Sequence, residues 1–224
     1  MLPFTQVQFM ELFARYNANV WPAQVLAYLL AIALVLAILR PSAYTGRWVA
    51  AGLAAMWLWT GIAYHALHFA EINKAAFLFA ALFAVQALLL LRAGFARKLQ
   101  FGATRAPTAW MGWALILYAS VFYPLAGAWA GHPYPEMPMF GITPCPLTLF
   151  TFGVFLLASA PVWGWLLVIP VVWSVIGGSA AVLLQVPQDW LLLFSGLSVI
   201  PLLNGGAAAK LRGSGAWSDS WRRL

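Results

Sequence analysis

The residues best suited to chemistry fall in two short stretches. The first is Tyr64-His65-Ala66-Leu67-His68-Phe69-Ala70-Glu71-Ile72-Asn73-Lys74. The second, after a long apolar run, carries His132, Tyr134, Glu136, Met137, Met139, Thr143 and Cys145. Residues three and four apart share a helix face, so Tyr64, His65, His68 and Glu71 are expected on one stripe. Two imidazoles a helical turn apart, with His132, Glu71 and Cys145, are donor types that zinc or copper takes. Haem ligation and proton relay draw on the same imidazoles. The alternative is that His65 and His68 sit at headgroup level, bonded to backbone or water. The spacing is not the diagnostic His-Glu-x-x-His. The candidate ligand-binding set is therefore Tyr64, His65, His68, Glu71, Asn73, Lys74, Thr143 and Cys145, and the candidate metal set is His65, His68, His132 and Cys145. Glu71 and Lys74, three apart, also suit a plain surface ion pair worth roughly 0–1 kcal/mol.

Cys145 lies in Phe140-Gly141-Ile142-Thr143-Pro144-Cys145-Pro146-Leu147-Thr148. Two prolines around it are expected to delay a helix until after Pro146, because the residue before each proline favours extended backbone. Such backbone at membrane depth survives only where protein buries it or it lines a cavity. Cys145 is then either a ligand, redox thiol or cavity residue, or an inert thiol in a helix-start device. No nearby positive charge activates it as a thiolate. A single cysteine also excludes an internal disulfide and any multi-thiolate metal site. No Ser-His-Asp set, nucleotide-binding glycine loop or carboxylate pair is present.

The elements that must position these groups are apolar. Charged residues make up 8% of the 224-residue chain and hydrophobic ones 64%, against roughly 25% charged in a soluble domain. A water-soluble globule is excluded. The net charge of +7 occupies no single face, so nucleic-acid binding is excluded as well; anionic lipid headgroups account for it. The first twenty residues hold Glu11 and Arg15 and no continuous apolar core, so no cleavable signal peptide is expected.

Seven apolar segments long enough to be spans, at about 20 residues each, run over 20–39, 48–69, 74–94, 109–130, 146–160, 162–184 and 189–208. The fifth is short, and a re-entrant hairpin with the sixth, leaving five spans, is the fallback. Pro170 and Pro201 are expected to kink the last two. Ahead of them, residues 3–18 form an amphipathic helix with Phe4, Val7, Met10 and Phe13 on one side and a Thr5–Gln8 capping box. It either lies in the outer interface or packs over the bundle mouth. The fold expected is all-α, a polytopic integral membrane bundle of seven transmembrane helices in one domain, with 20–208 as the bundle and 209–224 as a basic cytoplasmic tail.

Charge orients it. Ten of the 12 basic residues lie at Arg40 and Arg47; at Arg92, Arg97, Lys98 and Arg105; and at Lys210, Arg212, Arg222 and Arg223. Glu11, Glu71, Glu136 and Asp189 occupy the alternate gaps, with only Arg15 and Lys74 beside them. Basic loops stay inside, so the N-terminus is outside and the C-terminus cytoplasmic. Trp57-x-x-x-Gly61 and Trp173-x-x-x-Gly177 hint at a 3+1+3 parallel repeat, a common transporter plan. Of the 13 Trp, Trp57, Trp59 and Trp173 sit mid-span; they either line an inner cavity or pack between helices, and each indole N–H needs a partner. Gly177-Gly178-Ser179-Ala180-Ala181 allows close helix approach.

Trp21-Pro22-Ala23-Gln24, Trp59-Thr60-Gly61-Ile62-Ala63-Tyr64-His65 with Phe69 and Ile72-Asn73, Pro138-Met139-Phe140-Gly141 and Thr143-Pro144-Cys145-Pro146-Leu147-Thr148 resemble the DUF6064 family. The likeness covers nearly the whole chain and implies a small multi-span bacterial inner-membrane protein, with no activity attached. The architecture also looks like the SWEET and PQ-loop carriers, and the Pro-Cys break resembles membrane thiol-electron carriers, which use two cysteines where this chain has one. A small-solute or ion carrier with a polar site near the outer face is the leading expectation. The others are a metal- or haem-binding redox protein and an accessory subunit bound to a membrane partner protein; homo-oligomers stay open.

Overall fold

The structure, a computed structural model, describes residues 3–102 and 108–213, with side chains to residue 203. Arg105 and the basic tail at 209–224 lie outside the described side chains. All regular elements among the described residues are helical.

Helix α1, Gln6–Asn19, begins at the expected capping box: the Gln8 amide donates to Thr5 Oγ1 at 3.2 Å, and the Thr5 amide donates to Gln8 Oε1 at 2.9 Å. Its buried stripe is Met10, Leu12, Phe13, Tyr16 and Asn17. Val7 is outside it, 66% exposed, because the stripe follows the 3.6-residue period and not a strict three. The helix packs against the 64–69 stretch, Phe13 on Tyr64 and both Phe4 and Phe9 on Phe69. The chain then bends by 81° into α2, Ala23–Leu39.

Helix α3, Thr45–Trp59, continues without a break into a wide π-turn, Thr60–Ala66, followed by a 3-10 turn, Phe69–Glu71. Helix α4, Ala76–Phe95, returns antiparallel against α3. Helix α5, Ala109–Trp129, contains a π-turn at Tyr118–Phe122. Helix α6 is Pro144–Leu156, α7 is Trp165–Leu183, and α8, Trp190–Gly213, follows a 3-10 turn at Pro187–Asp189. Both α7 and α8 carry their proline inside a continuous helix.

Helix α6 starts at Pro144 itself rather than after Pro146 as the sequence suggests. The first amides of a helix lack intrahelical acceptors, so Pro144 and Pro146 in its first turn sacrifice no hydrogen bond. Thr143 precedes it in extended backbone (φ −123°, ψ 154°). From Pro144 to Leu156 every residue but Cys145 is buried. A helix apolar all round belongs in a core, and α3, α5, α7 and α8 surround this one. Its backbone touches α5 where Gly112 and Gly153 meet: a Cβ on either would lie 2.8 Å from the other's carbonyl oxygen.

Among the described residues three helices are long and apolar enough to cross a membrane: α4 with 20 residues, α5 with 21 and α7 with 19. The molecule has two chemically different ends. At one, Ser159 donates its amide to the Gln100 carbonyl at 2.8 Å and Arg92 stacks over Trp163 at 5.6 Å, beside Arg47, Arg97 and Lys98. At the other, α1 meets the π-turn, and Tyr16 donates to the Ile142 carbonyl at 2.8 Å. Arg97 and His68 therefore lie at opposite ends of the α3–α4 pair.

Candidate functional site

The π-turn decides how the first candidate stretch is presented. Its wider spiral breaks the 3.6-residue period, and such turns recur at functional sites. Tyr64 and His65 both turn inward, 2% and 0% exposed. His68 instead stays at the rim: its Nδ1 lies 2.7 Å from the Ala63 carbonyl, its Nε2 3.4 Å from the Asn19 amide nitrogen, and its ring meets Tyr16 edge-on. Glu71 faces out and pairs with Arg15 of α1 at 3.1 Å, not with Lys74, which is exposed. The single stripe of Tyr64, His65, His68 and Glu71 does not form.

Below α1 is a cavity of about 220 Å³. Phe4, Phe9 and Phe13 roof it; Tyr64, Phe69 and Asn73 form the side below the roof; Phe79 of α4 and Trp173, Ile176 and Gly177 of α7 close it further in. The rings pack on one another: Phe13 stacks on Tyr64 at 5.7 Å, Tyr64 on Phe69 at 5.6 Å, and Phe79 meets Trp173 edge-on at 5.3 Å. Pro138, Pro144 and Cys145 add a wall from the start of α6, and Asp189 completes it.

Asp189 is 4% exposed and accepts a hydrogen bond from the Tyr123 hydroxyl of α5. The Cys145 thiol adjoins both the Asp189 carboxylate and the Trp173 indole. Among the described residues the single ion pair is Arg15–Glu71, so this buried carboxylate has no cation. Burying a charge without a partner is costly. Its surroundings are also under-satisfied: both ring nitrogens of His65 are buried without a hydrogen-bond partner, and Trp173 Nε1 has only the Cys145 thiol beside it. His65 is edge-on to Trp173 at 5.0 Å and to Phe83 at 4.6 Å.

Of the residues singled out from sequence, Tyr64, Asn73 and Cys145 line the cavity and His65 backs it through Trp173. His68, Glu71 and Lys74 are at the rim. Thr143 is occupied locally, donating to the Met139 carbonyl at 2.8 Å. His132 is elsewhere, on the turn after α5. The metal set His65, His68, His132 and Cys145 therefore does not converge, and among the described residues no three His, Cys, Asp or Glu gather as metal ligands. Of the three mid-span tryptophans, Trp57 donates to Thr151 Oγ1 at 3.0 Å and Trp59 to the Tyr16 hydroxyl at 3.1 Å, so both serve packing, and Trp173 alone of them lines the cavity.

Sequence reasoning missed Asp189 and Tyr123. A usable signal for Asp189 was present: unlike Glu11 and Glu71, it has no Lys or Arg nearby in the chain. Nothing in the sequence pointed to Tyr123, which sits 66 positions from its partner.

No curated protein and no solved structure matches the chain. A model of a family of unknown function, DUF6064, matches residues 6–209. That match contains every cavity residue except Phe4. Since it extends from the first turn of α1 into α8, the protein belongs to the DUF6064 family.

Proposed function

We propose that the protein is a multi-span inner-membrane carrier that binds a small solute in the cavity beneath α1. The observation that carries this reading is a partly open, mostly apolar cavity with an unpaired buried carboxylate, lined by α1, the turns after α3, and the α4, α6 and α7 helices. An ionisable group buried among apolar spans marks a functional site by default. Below the roughly 300–1,000 Å³ of drug-sized sites, the cavity suits a solute of few heavy atoms.

Seven crossings are supported beyond the three long apolar helices. Helix α2 has 17 residues, at the lower end of the roughly 17–25 that span hydrocarbon. Helix α3 adds 15 residues to the 7 of its π-turn. The 13 residues of α6 rise only about 20 Å. The chain around it still runs from Ile142 at the α1 end to Ser159 at the Gln100 end, and other helices shield it from lipid. Helix α8 continues from Asp189 away from the α1 end. The sorting of basic and acidic side chains to opposite ends fits an outside N-terminus. Helix α1 would then cover the outer mouth.

The test is uptake into proteoliposomes of purified protein, using a panel of labelled small amines, alcohols, amino acids and carboxylates. We expect flux of at least one solute class, abolished by Ala180→Phe, which fills the cavity from α7. Flux that is the same in wild type and variant, or no flux for any solute, would count against the carrier.

A further inference from the structure

We infer that the cavity takes a small organic ammonium ion, its charge held by Asp189 and its alkyl groups by the surrounding aromatic rings. The inference deepens the carrier reading by naming its substrate class, and rests on it for the solute being cargo.

Three observations converge. First, the one acidic side chain at the cavity is Asp189, and among the described lining residues there is no Lys, Arg or His. An anion would meet repulsion, and a neutral solute would leave the charge uncompensated. Second, the Asp189 carboxylate has capacity left. A carboxylate offers about four acceptor positions, of which Tyr123 fills one and the Cys145 thiol adjoins another. Third, seven rings line the cavity, Phe4, Phe9, Phe13, Tyr64, Phe69, Phe79 and Trp173, and small or aliphatic residues of α7 between Ile176 and Leu183 make up much of the rest. An inorganic cation such as calcium or magnesium needs six or more oxygen ligands, or its retained waters. This lining cannot supply them. An alkylated ammonium is weakly hydrated and is attracted to uncovered aromatic faces; Tyr64, stacked between Phe13 and Phe69, offers none, so that role falls to the remaining rings, Trp173 foremost. One carboxylate fits a single positive charge.

The same geometry explains the roof. Phe4, Phe9 and Phe13 come from the start of α1, so the ligand is covered by a segment tied to the rest through Tyr16–Ile142 and the exposed Arg15–Glu71 pair.

The experiment is calorimetric titration of purified full-length protein in lipid nanodiscs with choline and with 3,3-dimethylbutan-1-ol, its uncharged carbon analogue. Choline is expected to bind about tenfold or more tightly than the alcohol, as a desolvated cation–aromatic contact requires. Asp189→Asn should lose that preference, with the two probes then binding about equally. Trp173→Leu keeps the carboxylate and should weaken choline several-fold, giving a second variant should Asp189→Asn not fold. Equal affinity for the two probes, or choline binding that survives both substitutions, overturns the ammonium site. If choline does not bind while another solute of the panel is transported, this inference falls and the carrier stands. If choline binds with the expected preference but no solute crosses, the ammonium site stands and the carrier falls.

Discussion

The contrast between Tyr16 and Arg15, adjacent on α1, shows which single contacts hold the roof. Tyr16 is fully buried, and burial pushes its phenol up, so it remains a neutral donor. It donates to the Ile142 carbonyl and accepts from Trp59. Tyr16→Phe strands both partners, and an unsatisfied buried group costs about 1–3 kcal/mol. A fall of that size in unfolding free energy, followed in detergent by circular dichroism, is the expected result. Arg15 and Glu71 are 58% and 50% exposed; Arg15→Ala should cost no more than about 1 kcal/mol in the same assay. Histidines and the cysteine drew attention from sequence because their chemistry is visible in one letter. Asp189 drew none, because what distinguishes it is the absence of a partner, and partners are set by packing.

The elements owe their positions to a few small residues. The α5–α6 crossing depends on Gly112 and Gly153, each with the other's carbonyl 2.8 Å from where a Cβ would lie. Gly153→Leu forces the helices apart and opens a gap around the fully enclosed α6. We expect a lower melting temperature, by several degrees or more, and loss of binding at the α6 end of the cavity. The α7–α8 crossing behaves alike at Gly178, where a Cβ would lie 2.8 Å from that of Leu193 and 3.1 Å from its amide. Gly178→Val should lower the melting temperature, whereas Gly164→Ala, with no heavy atom within 4 Å of its would-be Cβ, should not. Sequence periodicity located every apolar helix to within a few residues and identified the Thr5–Gln8 cap. It misjudged the start of α6 because proline reads as a breaker, although in the first turn it breaks nothing. It misplaced the face of His68 and Glu71 because a π-turn has no periodic signature.

At the scale of the whole molecule, the multi-span reading predicts a labelling pattern. In a Cys145→Ala background, Lys74→Cys should react with a membrane-impermeant maleimide in intact cells, and Gln100→Cys only after permeabilisation. Equal reactivity at both positions in intact cells would sink the proposed orientation. Composition and charge order by themselves determined that the chain is helical and overwhelmingly apolar. They also separated basic from acidic side chains into two groups, since hydropathy and charge belong to each residue wherever it goes. Which polar residues meet was decided only by the tertiary structure. Cys145, Tyr123, Trp173 and Asp189 come from four segments far apart in the chain, and their meeting depends on helix crossings and on α1 folding back over the mouth. It also dispersed His65, His68, His132 and Cys145, whose shared chemistry suggested one site. Proximity in a packed bundle follows from shape complementarity between helices, which no local pattern of residues encodes.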